Sequence, residues 1–157
     1  MLTKTQLYRE LAIQLRELLA GECDLIANAA NLAALLYYGL PELNWAGFYF
    51  LKNGVLVLGP FQGKVACTRI ALGKGVCGTA AVSRKSILVE NVHEFPGHIA
   101  CDRASNSEIV LPILKDDKVI GVLDLDSPAL GRFDDEDRAG LELLVQEFIE
   151  RTEIAVP

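Results

Sequence analysis

Between Glu108 and Asp126 the chain carries two strongly apolar runs, Glu108–Leu114 and Lys118–Asp126, separated only by Lys115-Asp116-Asp117. Runs of this kind broken by a short polar turn fold back as an antiparallel hairpin. On the second run Val122, Asp124 and Asp126 project to one face, while Leu123 and Leu125 project to the other. Two carboxylates on one side of an apolar strand are costly to bury unless a cation or a shared proton accompanies them; otherwise that face is solvated at the strand end. Register decides what they meet, because a slip of one residue turns every side chain to the opposite face. A three-residue turn pairs Leu114 with Lys118 and sets Glu108 opposite Asp124, gathering three carboxylates, and this clustered register is the expectation. A two-residue turn or an uncompensated bulge separates them.

A second hairpin is signalled by Asn53-Gly54 between two apolar runs, predicting strands over Trp45–Leu51 and Val55–Gly59. In the first of these, Trp45, Gly47 and Tyr49 share one face and Ala46, Phe48 and Phe50 the other. Gly47 leaves a gap between two amphipathic aromatics, so Trp45 and Tyr49 form either the wall of a shallow ligand site or ordinary core.

Helices flank these strands. Leu7, Leu11, Leu15 and Leu18, with Ile13 and Leu19 beside them, recur at helical spacing up to Gly21. Asp24 to Tyr38 reads as a second helix that Glu22 or Asp24 can cap. Cys23 beside it is expected to behave as a small buried hydrophobe without chemistry. Acidic residues from Asp134 to Asp137 open a last helix whose apolar stripe is Leu141, Leu144, Val145 and Phe148. It is expected to pack with the first helix behind the sheet, with a homodimer surface as a further use.

A chain of 157 residues is long enough for one domain with its own core, so 1–157 is read as a single domain. The net charge of −6, with no basic stripe, disfavours nucleic acid as a partner. Charges interleave the N-terminal segment and no apolar run is long enough to span a bilayer, so no membrane is expected and a cytoplasmic location is. In that reducing compartment the four cysteines are more plausibly free, catalytic or metal-binding than structural disulfides.

Three of those cysteines fall between Cys67 and Asp126. Cys67 opens what reads as a short strand to Leu72. Gly73 to Gly78 has the letters of a dinucleotide fingerprint but lacks the βαβ context, so no nucleotide cofactor is expected. The glycines instead turn the chain into a helix beginning after Cys77, whose thiol would then have its pKa lowered by the helix dipole. After a strand at Ser86–Val89, Glu90 to Asn106 loses all periodicity and carries His93, His98 and Cys101, which predicts a functional flap. These histidines and cysteines lack the paired spacings of a zinc site, so no metal is expected and the histidines are read as tuning the thiol.

With the segments NWAGFYF, LGPFQGKVACTRI, GKGVCGTA, PGHIACD, SNSEIVLPI and GVLDLDSP in view, the chain resembles a GAF domain, and within that fold the free methionine-(R)-sulfoxide reductases. The resemblance implies an α+β fold. It has a central antiparallel sheet of about six strands, the N- and C-terminal helices on one face, and the ligand pocket and cysteine-bearing loop on the other. It further implies that Cys101 attacks the sulfur of free methionine (R)-sulfoxide, leaving a sulfenic acid, and that Cys67 resolves it as a disulfide. Cys77 resembles a third cysteine that can take part, and thioredoxin resembles the reductant. Glu108, Asp124 and Asp126 resemble substrate-pocket carboxylates, and Trp45 and Tyr49 the aromatic wall.

The residues add a constraint of their own. Thiol attack on a sulfoxide must deliver a proton to oxygen, so an acid is needed near Cys101. Clustered carboxylates raise at least one pKa, leaving one member protonated while others meet the substrate ammonium. Which of Glu108, Asp124 and Asp126 does which stays open at this level. A non-catalytic GAF small-molecule sensor would need the pocket but not the thiols, and a thiol redox sensor the reverse.

Overall fold

The computed structural model describes residues 1–98 and 104–155. Among the described residues, four α-helices and six strands follow one another as α1 Lys4–Leu19, α2 Leu25–Gly39, β1 Trp45–Lys52, β2 Val55–Gly63, β3 Arg69–Ala71, α3 Gly75–Ser83, β4 Ile87–Val89, β5 Ser107–Lys115, β6 Lys118–Ser127 and α4 Asp135–Glu150. The strands form one antiparallel sheet of six, as expected, in the order β3-β2-β1-β6-β5-β4. Among the described residues no helix is long and apolar enough to cross a membrane.

Period-two alternation divides the sheet into two faces. Ala46, Phe48, Phe50, Ile109, Leu111, Ile113, Leu123 and Leu125 join Leu11, Leu15, Leu32, Leu36, Leu144 and Phe148 from α1, α2 and α4 in one continuous core. The opposite face carries Trp45, Tyr49, Val110 and Val122 and is covered by α3. Ile13 and Leu18, expected on the buried stripe of α1, are exposed; Tyr8 and Ala12 complete it instead. Cys23 is exposed as well, immediately before the α2 cap Asp24.

Asn53 and Gly54 adopt φ of 51° and 79°, the left-handed pair that a two-residue hairpin turn demands. β2 does not stop at Gly59. The β1–β2 register shifts between Gly47 and Tyr49, so that Gly47 pairs with Phe61 and Tyr49 with Leu58, and the strand continues through this bulge to Gly63. Pro60, which cannot donate to the ladder, is accommodated in the irregular stretch.

The β5–β6 hairpin corrects the expected register. Its turn has two residues, Asp116 and Asp117, at φ of 50° and 62°, and Lys115 pairs with Lys118. Alone, that turn would put Glu108 across from Leu125 and divide the acids between faces. The register shifts between Ile113 and Leu114, with Ile113 opposite Gly121 and Leu114 opposite Val119, so Ile120 is the extra residue of a β-bulge. Parity is thereby restored, and Glu108 faces Asp126 while Val110 faces Asp124. The cluster survives, with a different pairing from the expected Glu108 and Asp124.

Candidate active site

On the α3 side of the sheet lies a pocket of about 550 Å³, its open mouth included, lined by Trp45, Tyr49, Cys77, His98, Glu108, Asp124 and Asp126 among others. β1 places Trp45 opposite Asp126 and Gly47 opposite Asp124, and β5 supplies Glu108. Three neighbouring strands thus deliver the aromatic and acidic groups to one spot.

The aromatic wall is closed rather than gapped. A Cβ on Gly47 would lie 2.3 Å from Phe61 Cβ and 2.8 Å from Trp45 Cη2, so the space left by the glycine is already filled. Trp45 stacks on Phe61 with centroids 5.2 Å apart, and on Tyr49 at 5.9 Å. Phe61 escapes sequence reading because Pro60 looks like a strand end; the bulge beside it turns Phe61 to the pocket face. Trp45 Nε1 donates to the Lys64 carbonyl at 3.1 Å and Tyr49 OH to the Cys67 carbonyl at 2.9 Å. The same two aromatics therefore fasten the segment that carries Cys67. Cys67 itself lies before β3, is half-buried and is disulfide-bonded, whereas Cys23 and Cys77 are free. Cys101 lies outside the described residues.

Glu108 and Asp124 are both buried, each only 6% exposed. Burial first, then repulsion from Asp124 and Asp126, pushes the Glu108 carboxyl well above the usual carboxylate range. Burial also raises Asp124, against the lowering effect of hydrogen bonds from Glu108 and Cys77. Both carboxyls thus hold a proton more tightly than an exposed carboxyl does. Even so, Asp124 Oδ1 is buried without a hydrogen-bond partner among the described residues.

Cys77 corrects a second expectation. It sits within the first turn of α3 rather than before the helix, fully buried, and its thiol is pushed well up, chiefly by burial and then by Asp124 and Glu108. A half-charge at a helix N-terminus does not offset loss of water together with neighbouring carboxylates. Cys77 Sγ and carboxylate oxygens of Glu108 and Asp124 all lie within 4.8 Å of one another.

The histidines divide. His98 lines the pocket with Nε2 3.9 Å from Glu108 Oε1, and its pKa is lowered by burial and then by His93. His93 is exposed and its Nε2 lies 3.0 Å from Asn106 Oδ1. Ser105, buried where β5 begins, meets Asn44 Nδ2 at 3.2 Å and lines the same pocket. Neither Ser105 nor Lys74, also at the rim, carried any periodic signal in the sequence.

Residues 15–148 match the GAF domain, and the chain belongs to that family. Within it, the chain is 55% identical over 144 residues, 92% of this chain and 87% of the other, to the free methionine-R-sulfoxide reductase of Escherichia coli. Among solved structures it resembles free methionine-R-sulfoxide reductase from Neisseria meningitidis in complex with its substrate, with a TM-score of 0.92, 43% identity and coverage of 96% and 91% of the two chains. The reduced form of fRMsr from Staphylococcus aureus gives a TM-score of 0.90 at 51% identity, covering 92% and 94%.

Proposed function

We propose that this chain, acting as a single GAF domain over 1–157, reduces free L-methionine (R)-S-oxide to methionine in the cytoplasm. The observation that carries the reading is a pair of buried carboxylates, Glu108 and Asp124, set in an aromatic-walled pocket with Asp124 Oδ1 left unpartnered. A buried acceptor of this kind costs about 1–3 kcal/mol when unmet, which a ligand ammonium recovers on binding. That ammonium exists in the free amino acid and is consumed in a peptide bond, so the pocket selects the free form. Trp45 and Tyr49 present flat apolar surface to the methyl sulfoxide end. The 55% identity to a reductase of this name gives independent support.

Chemistry then runs through the cysteines. The Cys101 thiol attacks the sulfoxide sulfur; oxygen passes to the cysteine, giving methionine and a sulfenic acid, with Glu108 as the proton donor that assists loss of oxygen from substrate sulfur. Asp124 and Asp126 hold the ammonium. The Cys67 thiol displaces the sulfenic hydroxyl as water and forms a disulfide. Thioredoxin or another dithiol then takes up the disulfide and restores both thiols. That Cys67 is disulfide-bonded while Cys23 and Cys77 remain free supports Cys67 in the resolving role. The raised pKa of Cys77 disfavours it as an attacking thiolate. A homodimer is compatible with this scheme and not required by it.

The test is turnover by fully reduced protein of the R and S epimers of free methionine sulfoxide and of a peptide-bound sulfoxide, with a thioredoxin system. Only the free R epimer is expected to be consumed; no turnover at all overturns the reading. Cys101→Ser is expected to abolish single-turnover methionine release, and unchanged release reassigns the nucleophile.

A further inference from the structure

We propose that Cys77, Glu108 and Asp124 form a chelating site for one divalent transition-metal ion of the zinc type, which occupies the pocket in place of substrate. Three donor groups drawn from α3, β5 and β6 converge with their ligand atoms within 4.8 Å of one another, all three residues buried. A tetrahedral ion about 2.0–2.3 Å from each ligand sets its donors about 3.3–3.8 Å apart, so a set already gathered within 4.8 Å closes on the ion by a small movement of its side chains. The second observation is Asp124 Oδ1, which lines the pocket, is buried, and has no hydrogen-bond partner among the described residues. It is an acceptor waiting for a cation, whether an ammonium or a metal.

The donor types select among metals. Two carboxylates alone would suit magnesium or calcium, but a thiol on the third side favours a borderline-soft ion such as zinc or cobalt. His98, with Nε2 3.9 Å from Glu108 Oε1, and Asp126, opposite Glu108 in the sheet, are the candidates for a fourth ligand among the described residues. Three groups that repel one another as anions are reconciled by a divalent charge at their centre. Lost paired spacing is no obstacle, since these ligands are brought together by sheet pairing and not by a local motif.

The consequence for activity rests on the reductase reading: a metal held by Glu108 and Asp124 excludes the substrate ammonium, so zinc acts as a competitive inhibitor. Cobalt is the probe, because a cobalt–thiolate bond gives a charge-transfer band that carboxylate sites lack. The experiment uses full-length protein carrying Cys23→Ser, which removes the exposed free thiol, with the Cys67 disulfide intact.

One equivalent of cobalt is expected to produce the band, and free methionine sulfoxide to displace it. Cys77→Ser is expected to abolish the band and weaken cobalt binding at least about 100-fold, the upper end of what loss of an outer partner costs. Asp124→Asn, which keeps the volume, is expected to weaken binding with the band retained. No band, a band that survives Cys77→Ser, unchanged affinity in Asp124→Asn, or a band that persists at saturating sulfoxide each overturns the proposal. A band in a protein that, once reduced and metal-free, turns over no sulfoxide upholds the metal site and overturns the reductase reading. Normal turnover without a band does the opposite.

Discussion

Among its described residues the molecule buries acids in two places and treats them differently. At the start of α4, Asp137 is 1% exposed and fully answered: Lys4 Nζ lies 2.7 Å away, Arg132 Nη1 3.3 Å, and Tyr8 OH donates at 2.9 Å. On the other face of the sheet, Glu108 and Asp124 are equally hidden, yet no lysine or arginine bridges to them among the described residues. A buried charge is tolerated when paired, and otherwise takes up a proton or waits for a ligand. Asp137 is therefore part of the architecture, fastening α1 to α4, while Glu108 and Asp124 answer their burial by holding a proton more tightly, with Asp124 Oδ1 left without a hydrogen-bond partner among the described residues.

The largest expected contrast is in stability. Asp137→Asn removes the buried carboxylate that Arg132 and Lys4 share, leaving the guanidinium with the Pro41 carbonyl and Glu42 at 4.0 Å, and is expected to cost about 3–5 kcal/mol in chemical denaturation while KM for methionine sulfoxide stays unchanged. Asp124→Asn should reverse the pattern. Loss of one partner of a desolvated charge pair costs about 2–5 kcal/mol of binding, a rise of some 30-fold to several-thousandfold in the substrate dissociation constant by calorimetry, with no loss of folded stability at pH 8. If Asp124→Asn instead unfolds the protein as Asp137→Asn does, the two sites are of one kind and the distinction fails.

A smaller effect sharpens the role of the aromatic wall. Gly47→Ala drives a methyl into Phe61 and Trp45 and is expected to cost about 1–3 kcal/mol by overpacking, with a raised KM, because the displaced rings border Asp124. Thermal unfolding and substrate titration of the same variant read both parts.

The smallest effect is in pH dependence. Glu108 and Asp124 titrate above their unfolded values, so the unfolded chain ionises first and stability falls as pH rises from about 4 through the raised folded values. Asp134, held down to about 2 mainly by its hydrogen bond from Lys4, acts in the other sense: its contribution is present above the unfolded value and is lost as pH falls toward 2. Glu108→Gln is expected to flatten the decline on the alkaline side and leave the acid limb unchanged. A melting profile against pH that does not flatten would return the proton to another group.

Much of this was legible in the residues. Period-two alternation placed Trp45 and Tyr49 on one face, Phe48 and Phe50 on the other, and Asp124 with Asp126 together, because strand parity is a local property. Caps and stripes located α2 and α4 for the same reason. What stayed hidden was set by features with no local signature. The bulge at Ile120 altered which acids face each other, and the bulge near Pro60 brought Phe61 to the wall. The helix dipole is the only local signal at Cys77, whereas burial and then three carboxylates, Asp124, Glu108 and Asp126, push its thiol up. Ile13 and Leu18 were counted as core by spacing, though the true stripe of α1 runs through Tyr8 and Ala12.

The β5–β6 hairpin carries one more consequence. Its two-residue turn and its single extra residue, Ile120, cancel one another in the count that decides which way Asp124 looks. If Ile120 were drawn into the ladder opposite Ile113, every functional side chain would remain in the sequence and Glu108 would fall opposite Leu125, out of the pocket. Deleting Ile120 removes the bulge and leaves Glu108 opposite Asp126, so the hairpin tolerates loss of that residue but not its incorporation. The chemistry of the pocket is thus guarded by the count of paired residues as well as by their identity.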